Sequence, residues 1–206
     1  LDPGEALELL APVMRGLAAA HARGVIHRDI KPDNIFLCET ADGITPKVID
    51  FGVAKLLDDE RSLTSTRSGL MVGTAHYMSP EQARGDRDLD ARTDVWSLGA
   101  VLYQALTGHR PHEAPTPALT LAKIITQPPT PVEHHRADLP ADVVALVHRA
   151  LEPERDRRIP SMEVFYQTAL ACGVFEDIAR RSSVPALSSS VAPRASSPSV
   201  TPGSTP

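Results

Sequence analysis

His27-Arg28-Asp29-Ile30-Lys31-Pro32-Asp33-Asn34, followed sixteen residues after Asn34 by Asp50-Phe51-Gly52, is the stretch on which the reading of this chain turns. Val25 to Asn34 has no clean helical or strand period, so it reads as a loop. Upstream, Asp2-Pro3-Gly4-Glu5 is a helix start, with a capping Asp, a Pro in the first turn and a Glu three residues on. Leu7, Leu10, Met14, Leu17 and His21 then follow at helical spacing and Gly24 closes the helix, while Pro12 is expected to kink it. Downstream, Ile35–Cys38 and Lys47–Ile49 read as two short strands, with Asp42-Gly43 as the hairpin signal between them. Taken singly, Asp29 or Asp50 would be no more than a turn or capping residue.

Further outward, Asp50 to Ser79 reads as a long irregular stretch, of a length that is usually functional or mobile. Asp90 to Thr107 reads as a strong helix ended by Gly108, apolar around most of its circumference and therefore central and buried. Weaker helices are expected at Pro117–Thr126, Ala141–Leu151 and Ser161–Ala171. Ser182 to Pro206 holds nine Ser, five Pro and one charge, Arg194, so it cannot bury enough surface to offset its chain entropy and reads as a disordered tail or linker. The fold class is thus mainly α: a helical bundle around a buried central helix, with one small β-hairpin.

The 206 residues carry a formal net charge of −5, which argues against nucleic acid as the main partner. No apolar run approaches ~18 residues, so no membrane segment is expected. Cys38 and Cys172 are far apart in sequence and form no metal-binding pattern, which fits a reducing, cytoplasmic setting. His134-His135 has no matching ligand set and is not read as a metal site.

The 27–34 string resembles the catalytic loop, H-R-D-x-K-P-x-N, of the eukaryotic-type (Hanks-type) bacterial Ser/Thr protein kinases, and Asp50-Phe51-Gly52 resembles their metal motif. Gly73-Thr74-Ala75-His76-Tyr77-Met78-Ser79-Pro80-Glu81 is similar to the end of the family's activation segment, and Asp94-Val95-Trp96-Ser97-Leu98-Gly99 to the start of its central helix. The resemblance covers residues 1–181 and implies the C-terminal lobe of a kinase domain, with 182–206 as the tail.

The resemblance implies ATP-dependent phosphorylation of Ser/Thr on protein substrates, with ATP and Mg²⁺ (or Mn²⁺) as cofactors. Asp29 would accept the substrate hydroxyl proton, Lys31 would neutralise the transferring phosphoryl charge, and Asn34 and Asp50 would offer hard oxygen ligands to the metal. Phe36 falls where the family floors the adenine, and both core packing and nucleotide contact are open to it. His27 and Phe51 would stack as packing residues, and Asp94 would accept hydrogen bonds from catalytic-loop amides. Arg28 would bind a phosphate on the activation segment, at Thr64 or Thr66. Thr74 would help dock the substrate. Arg158, or Arg157 by a shift of one, would pair with Glu81. A kinase homodimer for trans-autophosphorylation also fits the family.

No G-x-G-x-x-G occurs in the chain, and no strand Lys or helix Glu of the family's N-terminal lobe is found. The expectation is therefore a catalytic-lobe fragment of a longer kinase, inactive by itself, whose parent could be membrane-anchored beyond residue 206. The alternative is a catalytically inactive truncated lobe that serves as a protein-binding scaffold. Intact Asp29, Lys31, Asn34 and Asp50 favour the first.

Overall fold

The computed structural model describes residues 1–40, 43–51 and 75–175. The described part is mainly helical, with a single two-stranded antiparallel sheet among those residues. Helix α1 (Pro3–His21) starts in a full capping box between Asp2 and Glu5. It buries Leu7, Leu10, Met14 and Leu17, the face its spacing marks out. Pro12 sits within α1 without ending it, on the exposed side. A 3-10 turn at Pro32–Asn34 leads into β1 (Ile35–Thr40), which pairs with β2 (Gly43–Val48) in a register that places Ile35 opposite Val48 and Thr40 opposite Gly43. Both strands run longer than their apolar residues alone suggest. Pro46 is accommodated in β2 because each strand of a two-stranded sheet is an edge. Ile49 lies outside the sheet and donates its N–H to the Asn34 carbonyl at 3.0 Å.

Three elements follow the next described residues: a 3-10 turn at Ala75–Tyr77, the short helix α2 (Pro80–Arg84), and α3 (Arg92–Thr107). Helix α3 is the centre of the core, with Val95, Trp96, Leu98, Leu102, Tyr103 and Leu106 all buried. It begins at Arg92 rather than Asp90, because the Asp90 carboxylate turns back to accept from the Arg92 amide at 2.9 Å. Gly108 ends it at φ 77°, a conformation favouring glycine. Then come α4 (Pro117–Thr126), α5 (Val132–His135), α6 (Ala141–Ala150) and α7 (Met162–Leu170). Helices α3 and α6 approach closely at Gly99, where an added Cβ would lie 2.8 Å from the Cβ of Ala150. Helix α1 packs on α7, α3 and β2, which sets the 27–34 loop between the central helix and the hairpin. No helix among the described residues is long and apolar enough to cross a membrane.

Candidate active site

The loop from His27 to Asn34 owes its shape to one carboxylate. Asp94, in the first turn of α3, is fully buried. Its Oδ2 accepts from the His27 amide and its Oδ1 from the Arg28 amide, each at 2.8 Å. An unpaired buried carboxylate is costly, and these donors are what make its position tolerable. Sequence reasoning placed these amides on Asp94 but missed a third partner. His21, at the end of α1, meets Asp94 Oδ2 at 2.8 Å through Nε2. The signal for it was present, a polar ring continuing an otherwise apolar helical face, but the partner lies 73 residues away.

Arg28 adopts φ 65°, in the left-handed region where a side chain is strained. The strain is held from both sides. The Arg28 amide is taken by Asp94, and its carbonyl accepts from Gln82 Nε2 at 2.8 Å. Gln82 is itself fixed by a capping box with Ser79 at the start of α2. The loop is therefore clamped between α3 and α2.

His27 is buried with both ring nitrogens engaged. Nδ1 accepts from the Asp29 amide at 3.2 Å, so Nε2 carries the hydrogen and donates to the Ile49 carbonyl at 3.0 Å. Its ring lies 4.7 Å, centroid to centroid, from Phe51 at a tilt of 45°. These contacts tie residues 49–51 to the loop. Asp50, between them, is exposed and has φ 55°, a second strained non-glycine position.

Asp29 and Lys31 are each about four-fifths buried at the side chain. Lys31 Nζ lies 3.1 Å from Asp29 Oδ2. Asn34 Nδ2 donates to the Asp29 carbonyl at 2.8 Å and to Asp29 Oδ2 at 3.2 Å. One carboxylate oxygen thus meets an ammonium and an amide together, a charge-assisted arrangement. The Ile49 N–H···O=C Asn34 bond brings Asn34 and Asp50 onto adjacent segments. Their side-chain oxygens are a hard donor pair of the kind that suits Mg²⁺. Among the described residues no cluster of three or more His, Cys, Asp or Glu could hold a metal by itself, but Mg²⁺ is usually held by one or two protein ligands plus substrate phosphates.

The remaining sequence candidates divide. Arg158, not Arg157, meets Glu81, with Nη1 on Oε1 at 2.8 Å and Nη2 on Oε2 at 3.0 Å. Burial by itself would raise the Glu81 carboxyl, but the Arg158 guanidinium and the Thr93 hydroxyl hold it below the usual range. Phe36 is 59% exposed on β1, which removes core packing as its role. Thr64, Thr66 and Thr74 lie outside the described residues.

The protein kinase domain model matches residues 1–169. The chain is 37% identical over 160 residues to the serine/threonine-protein kinase pkn2 of Myxococcus xanthus, covering 77% of this chain and 19% of that protein. It is 39% identical over 169 residues to the serine/threonine-protein kinase PknB of Mycobacterium leprae, covering 82% and 25%. It is 38% identical over 189 residues to the probable serine/threonine-protein kinase CE0033 of Corynebacterium efficiens, covering 89% and 26%. The chain spans about a fifth to a quarter of the length of these curated relatives. With its fold, its Asp94-anchored loop and these matches in agreement, the chain belongs to the protein kinase family.

Proposed function

We propose that this chain forms the catalytic lobe of a Ser/Thr protein kinase, with residues 1–181 as the C-terminal lobe and 182–206 as a tail. The helical body around α3 is the base on which the reacting groups sit. The observation that carries the reading is the Asp29–Lys31–Asn34 constellation on a loop clamped at Arg28 between α3 and α2.

Phosphoryl transfer needs positioning and charge neutralisation more than covalent help. Asp29, held by Asn34, orients the Ser or Thr hydroxyl of a protein substrate and accepts its proton. Lys31 places a cation beside the transferring phosphoryl group. Asn34 and Asp50 would hold Mg²⁺, which would supply positive charge against the ATP phosphates. Phe36, exposed on the hairpin, contacts the nucleotide base. Arg28 binds a phosphate at Thr64 or Thr66, and Thr74 docks the substrate beside Asp29. The family's Gly-rich loop does not occur in these 206 residues, so the chain by itself leaves ATP without an upper wall and transfers little phosphate.

The test uses a protein that joins this chain to a kinase N-terminal lobe, labelled γ-phosphate and a Ser/Thr protein substrate. Asp29→Asn should lower kcat by about 10²–10⁴, and Asp50→Asn should raise the Mg²⁺ concentration needed for half-maximal rate. Normal turnover by Asp29→Asn would contradict the assignment, whereas no turnover by the unsubstituted joined protein would favour the scaffold alternative.

A further inference from the structure

A cleft of about 280 Å³ opens between the turn after α3, the end of α4 and the short helix α5. Arg110, Lys123, His112, His134 and His135 line it, against one carboxylate, Glu113. Lys123 Nζ is anchored on the Glu113 carbonyl at 2.7 Å, which fixes the ammonium at the wall. The Arg110 amide donates to Glu113 Oε1 at 3.2 Å, so the single acid is already engaged.

Hydrogen-bond donors are in surplus here. Arg110 Nε is buried and has no partner among the described residues. Buried polar atoms without partners are rare, and this one, on a residue lining the cleft, points to an absent acceptor. The imidazoles are crowded as well. His135 stacks on His109 at 4.2 Å and 15°, and meets the edge of His134 at 5.3 Å. Desolvation, then His109 and His134, hold His135 below its ordinary value, with Glu113 acting weakly the other way. Burial likewise lowers His112, whose Nε2 faces the Gln127 carbonyl, and His76, whose Nδ1 faces the His112 carbonyl. On the far side of α5, Glu133 is occupied by His148 at 2.9 Å.

We propose that this cleft binds a phosphate-group anion, with Arg110 as its principal contact and Lys123, His134 and His135 around it. A guanidinium suits a tetrahedral oxyanion through paired N–H donors, and the ammonium adds a point charge. The chemistry is shared by free phosphate and by a phosphorylated side chain carrying about −1.5 to −2 charge. The site is independent of the proposed phosphoryl transfer, and its test does not use activity.

Purified protein at pH 7 is titrated with inorganic phosphate and, separately, with a phosphoserine peptide, following the histidine Cε1–H resonances. Saturable shifts of His134 and His135 with a Kd of roughly 1 mM or tighter are expected. Arg110→Gln should weaken binding by about tenfold and Lys123→Gln by about threefold, with Arg149→Gln on exposed α6 surface as the unchanged control. The His135 titration midpoint should rise by about 0.5 in saturating sulfate, which does not itself titrate in this range. Tighter binding of the peptide assigns the site to a phosphorylated side chain, and tighter or equal binding of phosphate assigns it to the free ion. No saturable shift up to about 50 mM, or equal losses in Arg110→Gln and Arg149→Gln, overturns the proposal.

Discussion

Two carboxylates are buried beside the first turn of α3, and they are satisfied by different chemistry. Asp94 is held by two loop amides and the His21 ring. Glu81 is held by a cation, the bidentate Arg158 guanidinium, which also lies 5.1 Å from the Trp96 ring centroid. The residue between them in the packing is Thr93. The Gln82 amide donates to the Ser79 hydroxyl, which bonds Thr93, which in turn donates to Glu81. A carboxylate bonded to backbone amides fixes where a loop runs. A carboxylate bonded to a guanidinium fixes how two segments pack. The first kind serves a site and the second serves the fold.

That contrast can be broken by substitution. The largest stability effect should come from Glu81→Gln, which leaves the fully buried Arg158 charge without its counter-ion. A loss of about 3–5 kcal/mol is expected by denaturant unfolding. The double variant Glu81→Gln/Arg158→Met should recover much of it, since a buried pair replaced by neutral groups of similar size is often close to neutral. Full loss in the double variant would show that the segment needs the ion pair for its shape.

Gly99→Ala comes next. Its new methyl would meet Ala150 between two helices that cannot separate without disturbing the core. Overpacking of this kind costs about 1–3 kcal/mol. An unchanged unfolding midpoint would mean that α3 and α6 can part at no cost.

The smallest effect is in acid. The folded Glu81 carboxyl lies below its unfolded value, so its contribution is present above about pH 4.5 and is lost as pH falls through the folded value. Stability of the wild-type protein should therefore fall more steeply below pH 4.5 than that of Glu81→Gln. Parallel curves for the two proteins would remove the pair from the acid response.

The fold was largely legible because its long helices have strong periods and clear caps. Helix α4 runs over the predicted residues, and α6 and α7 differ only at their ends. Helices α2 and α5 were not foreseen, at five and four residues too short to show a period. The order of the loop residues was legible as well, since the constellation lies within eight consecutive positions. What joins that loop to the body was legible only in part. The Asp94 amide bonds followed from family resemblance, whereas His21 and Gln82 reach it from 73 residues before Asp94 and 54 residues after Arg28, distances over which periodicity carries no information. The choice between Arg157 and Arg158 likewise needed the three-dimensional position of Glu81.

Asp94→Asn tests the division of labour most directly. An asparagine keeps the shape, but its amide group must face the His27 or the Arg28 N–H, donor against donor. The measurement is kcat of the N-lobe-joined protein beside its thermal unfolding curve, taken at a temperature where the variant is folded. Turnover should fall by about tenfold to a hundredfold, as expected when a reacting group is displaced by about 1 Å, while Glu81→Gln under the same folded conditions keeps near-normal turnover. Equal turnover in Asp94→Asn and wild type, or an equal loss in both variants, would contradict the assignment of Asp94 to the site and Glu81 to the fold.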